Sequence, residues 1–211
     1  MVSVLEKVVK PLKYTSLDGL SEKQIAQHHD VLYAGYVKKT NEIRKALETT
    51  DKTAASANAT FSQLRELKVE ETFALNGVKL HEAYFDNLGG KAPAPAAGSL
   101  FSKWLTEDFG SFEAWAEEFK AMGIASRGWV VLAMDLETGR LHNFMCDIHN
   151  QGGIWGAVPM LVLDVYEHAY FLDYATNRKD YIAAFMRNVQ YKECDDVISR
   201  YKLEMFRKNR K

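Results

Sequence analysis

From Ser21 onward the apolar residues recur at helical spacing. Ser21-Glu22-Lys23-Gln24 reads as a capping box, in which the serine oxygen and the glutamine side chain satisfy opposite unpaired N–H groups. Behind it Ile25, His28, Leu32, Tyr36, Ile43 and Leu47 fall near one stripe, at steps of three, four or seven. Thr50 to Asn58 is small and polar, a loop. A second helix over about Thr60 to Leu88 carries Leu64, Leu67, Leu75, Val78, His81, Phe85 and Leu88 on one face, with Gly77 marking a break or kink. The two helices make an antiparallel hairpin. Gly89 to Gly98 then alternates glycine, alanine and proline, which neither a helix nor a strand sustains. It divides the chain into a helical domain at 1–90, a linker at 91–98 and a second domain at 99–211.

In that second domain Ser99 and Ser111 cap short helices bearing Trp104, Phe112, Trp115 and Phe119. Gly128 to Asp135 reads as a buried strand, Thr138-Gly139 as a tight turn into a second strand from Arg140 to about Asp147, and Val158 to Asp164 as a third. Helices follow over Phe171–Ala175, Asp180–Met186 and Asp195–Phe206. The fold class is α+β: a helical hairpin, then a three-stranded antiparallel sheet surrounded by helices.

Composition changes this picture little. A chain of 211 residues can bury a sizeable core. With 27 basic against 28 acidic residues there is no broad nucleic-acid footprint. The terminal run Arg207-Lys208-Asn209-Arg210-Lys211 is short enough to be a solvated end. Met1 to Lys7 shows no signal peptide, and no run is apolar enough to span a bilayer. Two cysteines, Cys146 and Cys194, cannot frame a disulfide scaffold. A cytoplasmic protein without nucleic-acid or membrane partners is expected.

Chemistry is densest at Asp164-Val165-Tyr166-Glu167-His168-Ala169-Tyr170. A carboxylate that ends a buried strand is costly unless something compensates it. A metal ion would do so, with His168 four residues on as a second ligand. Of the six histidines (His28, His29, His81, His142, His149 and His168), His28 lies two helical turns before Tyr36 on one face, and His81 lies on the apolar face of the second helix. Histidines in such places are commonly hydrogen-bonded core residues. Three imidazoles and a carboxylate would suit iron, manganese or zinc rather than calcium. Spacing leaves open both a shared ion and a metal-free helical interaction module with core histidines.

Four pieces in order carry a resemblance: Tyr36-Val37 with Asn41, Leu80-His81-Glu82 with Phe85, Arg127-Gly128-Trp129, and Asp164-x-Tyr166-Glu167-His168-Ala169-Tyr170. The last is close to the signature Asp-x-Trp-Glu-His-Ala-Tyr of the iron/manganese superoxide dismutase family, which the chain resembles over nearly its whole length. The resemblance implies conversion of superoxide to oxygen and hydrogen peroxide at one iron or manganese ion per subunit, held by His28, His81, Asp164 and His168. His28 rather than His29 matches, because the family ligand lies eight residues before the gateway tyrosine, here Tyr36. Tyr36 would line the substrate funnel and pass a proton. His149 stands where many members have a glutamine bonded to solvent at the metal, and Gly77 occupies the other place from which that glutamine can come. Phe85, Trp129 and Tyr166 would wall the site. The histidine at 149 inclines the expected metal to iron.

The resemblance further implies a homo-oligomer, dimer or tetramer, in which Glu167 bonds the ligand histidine of a partner subunit. Tyr170 would meet a histidine across that interface, but at the family's histidine position this chain has Leu32. That departure implies slower proton-dependent steps, and it keeps open a catalytically weak relative that holds metal beside an altered surround.

Overall fold

The computed structural model describes residues 6–208, so the readings that fall on residues 1–5 and 209–211 lie outside the described residues. The first helix is three pieces in one line: α1 (Glu22–Ala26), a π-helical segment (Gln27–Tyr33) and α2 (Ala34–Thr49). The wider π turn uses more residues per revolution and shifts the buried stripe. The stripe runs through Ile25, His28, His29, Tyr33, Val37, Thr40 and Ile43, while Leu32, Tyr36 and Leu47, expected on it, are only partly buried. Half of the expected capping box forms. Ser21 Oγ accepts the Gln24 N–H at 3.1 Å, but the Ser21 N–H goes to Asp173 Oδ2 at 2.7 Å and the Gln24 side chain turns elsewhere.

Helix α3 (Gln63–Asp86) packs antiparallel on α2 and is capped by Ser62, whose Oγ accepts the Arg65 N–H at 3.2 Å. It begins a few residues later than expected and passes through Gly77 without a break. That glycine serves a close approach: a Cβ there would meet Tyr36 Cδ1 at 2.9 Å and His149 Cδ2 at 3.3 Å. Asn87 ends the helix. Its amide donates to Met160 O at 3.1 Å and accepts from Val162 N at 2.9 Å, covering main chain of an edge strand. The linker starts pinned as well, since Gly90 N donates to Asn188 O at 3.0 Å and a Cβ at 90 would sit 2.1 Å from Val189 O.

The strands are β1 (Trp129–Asp135), β2 (Arg140–Cys146) and β3 (Ala157–Asp164), antiparallel in the order β2-β1-β3. The expected α+β class and three-stranded sheet are present. Helices α4 (Leu100–Phe109) and α5 (Phe112–Ala125) start at Ser99 and Ser111, each hydroxyl accepting a first-turn N–H. Phe101, Trp115 and Phe119 have no exposed surface, and one apolar core runs from Leu20 and Tyr33 through the sheet to Leu203. After β3 come a 3-10 turn (Glu167–Ala169), α6 (Phe171–Tyr174), α7 (Arg178–Arg187), α8 (Tyr191–Arg200) and α9 (Glu204–Lys208). The single helix expected over Asp195–Phe206 is thus two, separated at Lys202, which has φ 52°.

Arg207 is no solvated end. Its guanidinium donates to Asp108 at 2.7 and 2.9 Å and to Glu107 at 2.6 and 3.0 Å, and lies over the Trp104 ring. Asp108, with a side chain only 2% exposed, also accepts from Arg140 and from the Leu141 N–H, each at 2.8 Å. Burial alone would raise the Asp108 carboxyl, but Arg207, Arg140 and the amide outweigh it and hold it below its ordinary value. Asp108→Ala is expected to cost about 2–3 kcal/mol, because it removes the buried acceptor shared by two guanidinium groups and the Leu141 N–H. In a chain of this size that is roughly 4–12 °C in Tm. A depressed carboxyl stabilises above its unfolded pKa of about 4 and loses that effect as pH falls, so the Tm gap to wild type should narrow below about pH 4. Thermal melts of both proteins at pH 7 and pH 3 check this.

Candidate metal centre

Asp164 closes β3 opposite Trp129 of β1 and has no exposed surface. Its Oδ1 accepts the Tyr166 N–H at 2.9 Å. Its Oδ2 faces three imidazoles: His28 Nε2 at 3.1 Å, His168 Nε2 at 3.1 Å and His81 Nε2 at 3.6 Å. One donor atom from each of these four residues lies within 4.8 Å of every other. Two come from the helical hairpin and two from the end of the sheet and the turn after it.

The π-helical segment explains how neighbouring histidines are told apart. π turns inside helices frequently occur at functional sites. His28 points into the cluster, packing 4.9 Å from the Tyr84 ring and 5.0 Å from Phe85. His29 is also buried, but its Nδ1 meets Asp30 Oδ1 at 2.6 Å and its Nε2 meets Lys10 O at 2.8 Å, so both nitrogens are used. His142 is exposed on β2 and takes no part.

On α3, His81 Nδ1–H donates to Gly77 O at 2.6 Å. That bond places the ring proton on Nδ1 and turns the Nε2 lone pair into the cluster, where it is buried with no hydrogen-bond partner. An unmet buried nitrogen costs about 1–3 kcal/mol unless something takes its lone pair. Electrostatics points the same way. Burial drives the His81 pKa down to about 3 and lowers that of His28 despite Asp164. Burial would raise the Asp164 carboxyl, but His168 and His28 hold it far below the carboxylate range. Burial lowers His168, and the Asp164 charge more than reverses it. A buried, ionised carboxylate among imidazole nitrogens can hold a cation. This donor set suits a borderline transition metal.

His149 sits beside the cluster, 4% exposed, its ring 5.9 Å from His81 and 4.7 Å from Tyr36. Its Nδ1 accepts the Trp129 Nε1–H at 2.9 Å, which leaves the neutral ring's proton on Nε2. Burial lowers its pKa to about 4, so the neutral form holds at neutral pH. Tyr36 and Phe73 line both this ring and an open groove of about 590 Å³ between α2 and α3, shared with Leu32 and Lys39. Burial, then the Asp164 charge, raises the Tyr36 hydroxyl, which stays protonated.

Phe85 packs against His28, Trp129 stands 5.0 Å from His81, and Tyr166 stacks on His168 at 5.2 Å. Glu167 is exposed. Tyr170 is 3% exposed in the single subunit. Its ring stacks on Tyr181 at 4.9 Å and its hydroxyl accepts from Arg178 Nε at 3.2 Å. Three supports were not read from the sequence: the Gly77 carbonyl, Tyr181, whose hydroxyl donates to Asp164 O at 2.6 Å, and Gln24. Only Gln24 left a signal, one helical turn before His28.

Comparison with known proteins agrees with this geometry. The family model described as iron/manganese superoxide dismutases, C-terminal domain, matches residues 97–197. The chain is 44% identical over 183 residues to an iron superoxide dismutase of Aquifex aeolicus, covering 85% of this chain and 84% of that one. It is 39% identical to an iron superoxide dismutase of Cupriavidus metallidurans, over 87% of this chain and 91% of the relative. It is 34% identical to manganese superoxide dismutase 2 of Haloferax volcanii, over 93% and 96%. Asp164→Asn removes the only negative charge of the cluster, and retention of iron or manganese after dialysis is expected to fall at least ten-fold. Elemental analysis beside wild type reads this directly; equal metal content would refute it.

Proposed function

The chain belongs to the iron/manganese superoxide dismutase family and converts superoxide to oxygen and hydrogen peroxide, and on that premise we propose how its own residues divide the work. His28, His81, Asp164 and His168 hold the ion. The observation that carries this is the convergence of their donor atoms on one buried space where His81 Nε2 has no other partner. A bound iron or manganese ion supplies the one-electron couple that superoxide disproportionation needs. The iron-named relatives and the histidine at 149 favour iron over manganese.

In this reading His149 and Tyr36 manage protons. Trp129 fixes the His149 tautomer, so that Nε2–H is the donor available beside the cluster. Tyr36 stands between that ring and the groove, holding its phenolic proton at neutral pH while lining the approach of a small anion. Phe85, Trp129 and Tyr166 exclude water, which strengthens every charge interaction inside. Gly77 leaves the space that His149 and Tyr36 occupy. We assign 91–98 as the boundary between a hairpin domain and a sheet domain, each supplying two ligands.

The protein is further proposed to work as a homo-oligomer in the cytoplasm. Exposed Glu167 and the half-exposed Phe171 and Leu172 beside it offer a surface for a second copy, and both free cysteines are buried and unpaired. No helix among the described residues is long and apolar enough to cross a membrane.

His149→Ala is expected to retain its metal and lose about 10- to 100-fold in turnover, measured as superoxide decay on metal-quantified protein. Full turnover at full loading would remove His149 from the reaction. Leu32 supports a second reading, a weak catalyst, because it puts an apolar side chain in the groove next to Tyr36. Leu32→His should then raise turnover with metal content unchanged. Reconstitution with iron and with manganese in turn, followed by the same assay, decides between the metals.

A further inference from the structure

The helix that carries His28 and the turn that carries His168 lie far apart in the chain, and their spacing decides whether four donor atoms meet. Two side chains of the first helix lace them together. Ser21 does so at the surface, through its N–H and Oγ to the carboxylate of Asp173 at 2.7 and 2.6 Å. Gln24 does so inside, with no exposed surface. Its Nε2 donates to the main-chain carbonyl of His168 at 2.6 Å, and its Oε1 accepts the Leu172 N–H at 3.1 Å.

The other clamps on the ligands act locally. His81 is held by Gly77, one turn earlier in α3, and Asp164 by Tyr166 and Tyr181 from its own half of the chain. His168 differs from its three companions in exposure: its side chain is 24% exposed, while those of His28, His81 and Asp164 are 0% exposed. The turn holding it has three residues, and a short turn at a surface opens readily unless something fixes its main chain. The group that fixes it is an amide one helical turn before another ligand of the same centre.

Building on the metal reading above, we propose that Gln24 is a positioning residue of the metal centre: its amide sets the distance between His28 and His168 and so governs how fast the ion is lost. The role needs a donor and an acceptor on one side chain at this length. Methionine keeps the length and supplies neither; asparagine keeps the amide but falls one methylene short.

The test compares wild type, Gln24→Met, Gln24→Asn and Ser21→Ala, each loaded with manganese and challenged with excess chelator. Metal release is followed beside the visible absorption of the oxidised manganese protein and the Tm of each metal-free protein. Release from Gln24→Met is expected to be ten-fold faster or more, and from Gln24→Asn at least three-fold faster, with a displaced absorption band in both. Ser21→Ala should lower the metal-free Tm and release metal within two-fold of wild type. The asparagine variant carries the test if the methionine variant does not fold. Release from the Gln24 variants within two-fold of wild type overturns this inference alone, as does an equal acceleration in Ser21→Ala. A wild type that retains iron but not manganese is challenged as the iron protein with the same expected ratios, and one that retains neither metal overturns the inference together with the metal-centre reading.

Discussion

A single carboxylate without solvent, at the end of β3, constrains the rest of this molecule. Asp164 stays ionised because nitrogen groups from two helices and a turn surround it, and each must arrive from a different part of the chain. Much of the architecture is the means of their arrival. The sheet register sets Trp129 against Asp164, the π turn sends His28 inward and His29 aside, and the hydrogen bond to Gly77 aims His81. Removing water from such a site strengthens attraction and penalty alike. In the proposed centre one cation answers both the unmet nitrogen of His81 and the charge of Asp164.

The same constraint organises what lies one layer out. His149 reaches the cluster from the loop after β2 and packs where α3 has no side chain, at Gly77. Its ring is oriented by Trp129, whose own place comes from pairing with Asp164 across the sheet. A residue on a loop is thus held by a strand, and the strand by the residue it serves. Preorganisation of this kind lets a small reactant meet fixed dipoles and leaves little to rearrange.

The strands and the serine caps were legible because each depends on a few neighbouring residues: a buried apolar run, a hydroxyl before a helix. The cluster of His28, His81, Asp164 and His168 was legible only through motifs in order, since no periodicity joins His28 to Asp164. Two kinds of feature stayed hidden. The π turn left no local mark, and it moved burial from Leu32 and Tyr36 to Tyr33 and Val37. Long-range polar ties were equally silent: Gln24 reads as half of a capping box until His168 is seen beside it, and Arg207 reads as a basic tail until it meets Asp108. Local signals describe local bonds, and these bonds span about a hundred residues or more.

Leu32 and Tyr170 carry the chain's departure from the family pattern. Without a histidine at 32, the Tyr170 bond expected across the interface must be absent or rerouted. The hydroxyl instead accepts from Arg178, whose Nη1 also donates to Ser126 O at 2.7 Å, and the ring lies within the core. The Tyr170 hydroxyl thus has a partner within its own subunit. Leu32 itself lines the groove, where it presents a wall with no proton to give beside Tyr36. In the proposed reaction this concentrates proton handling on Tyr36 and His149, whose rings meet edge to face at 4.7 Å. A chain that dispenses with one relay depends more heavily on the alignment of the other, and that alignment rests on the bare α-carbon of Gly77.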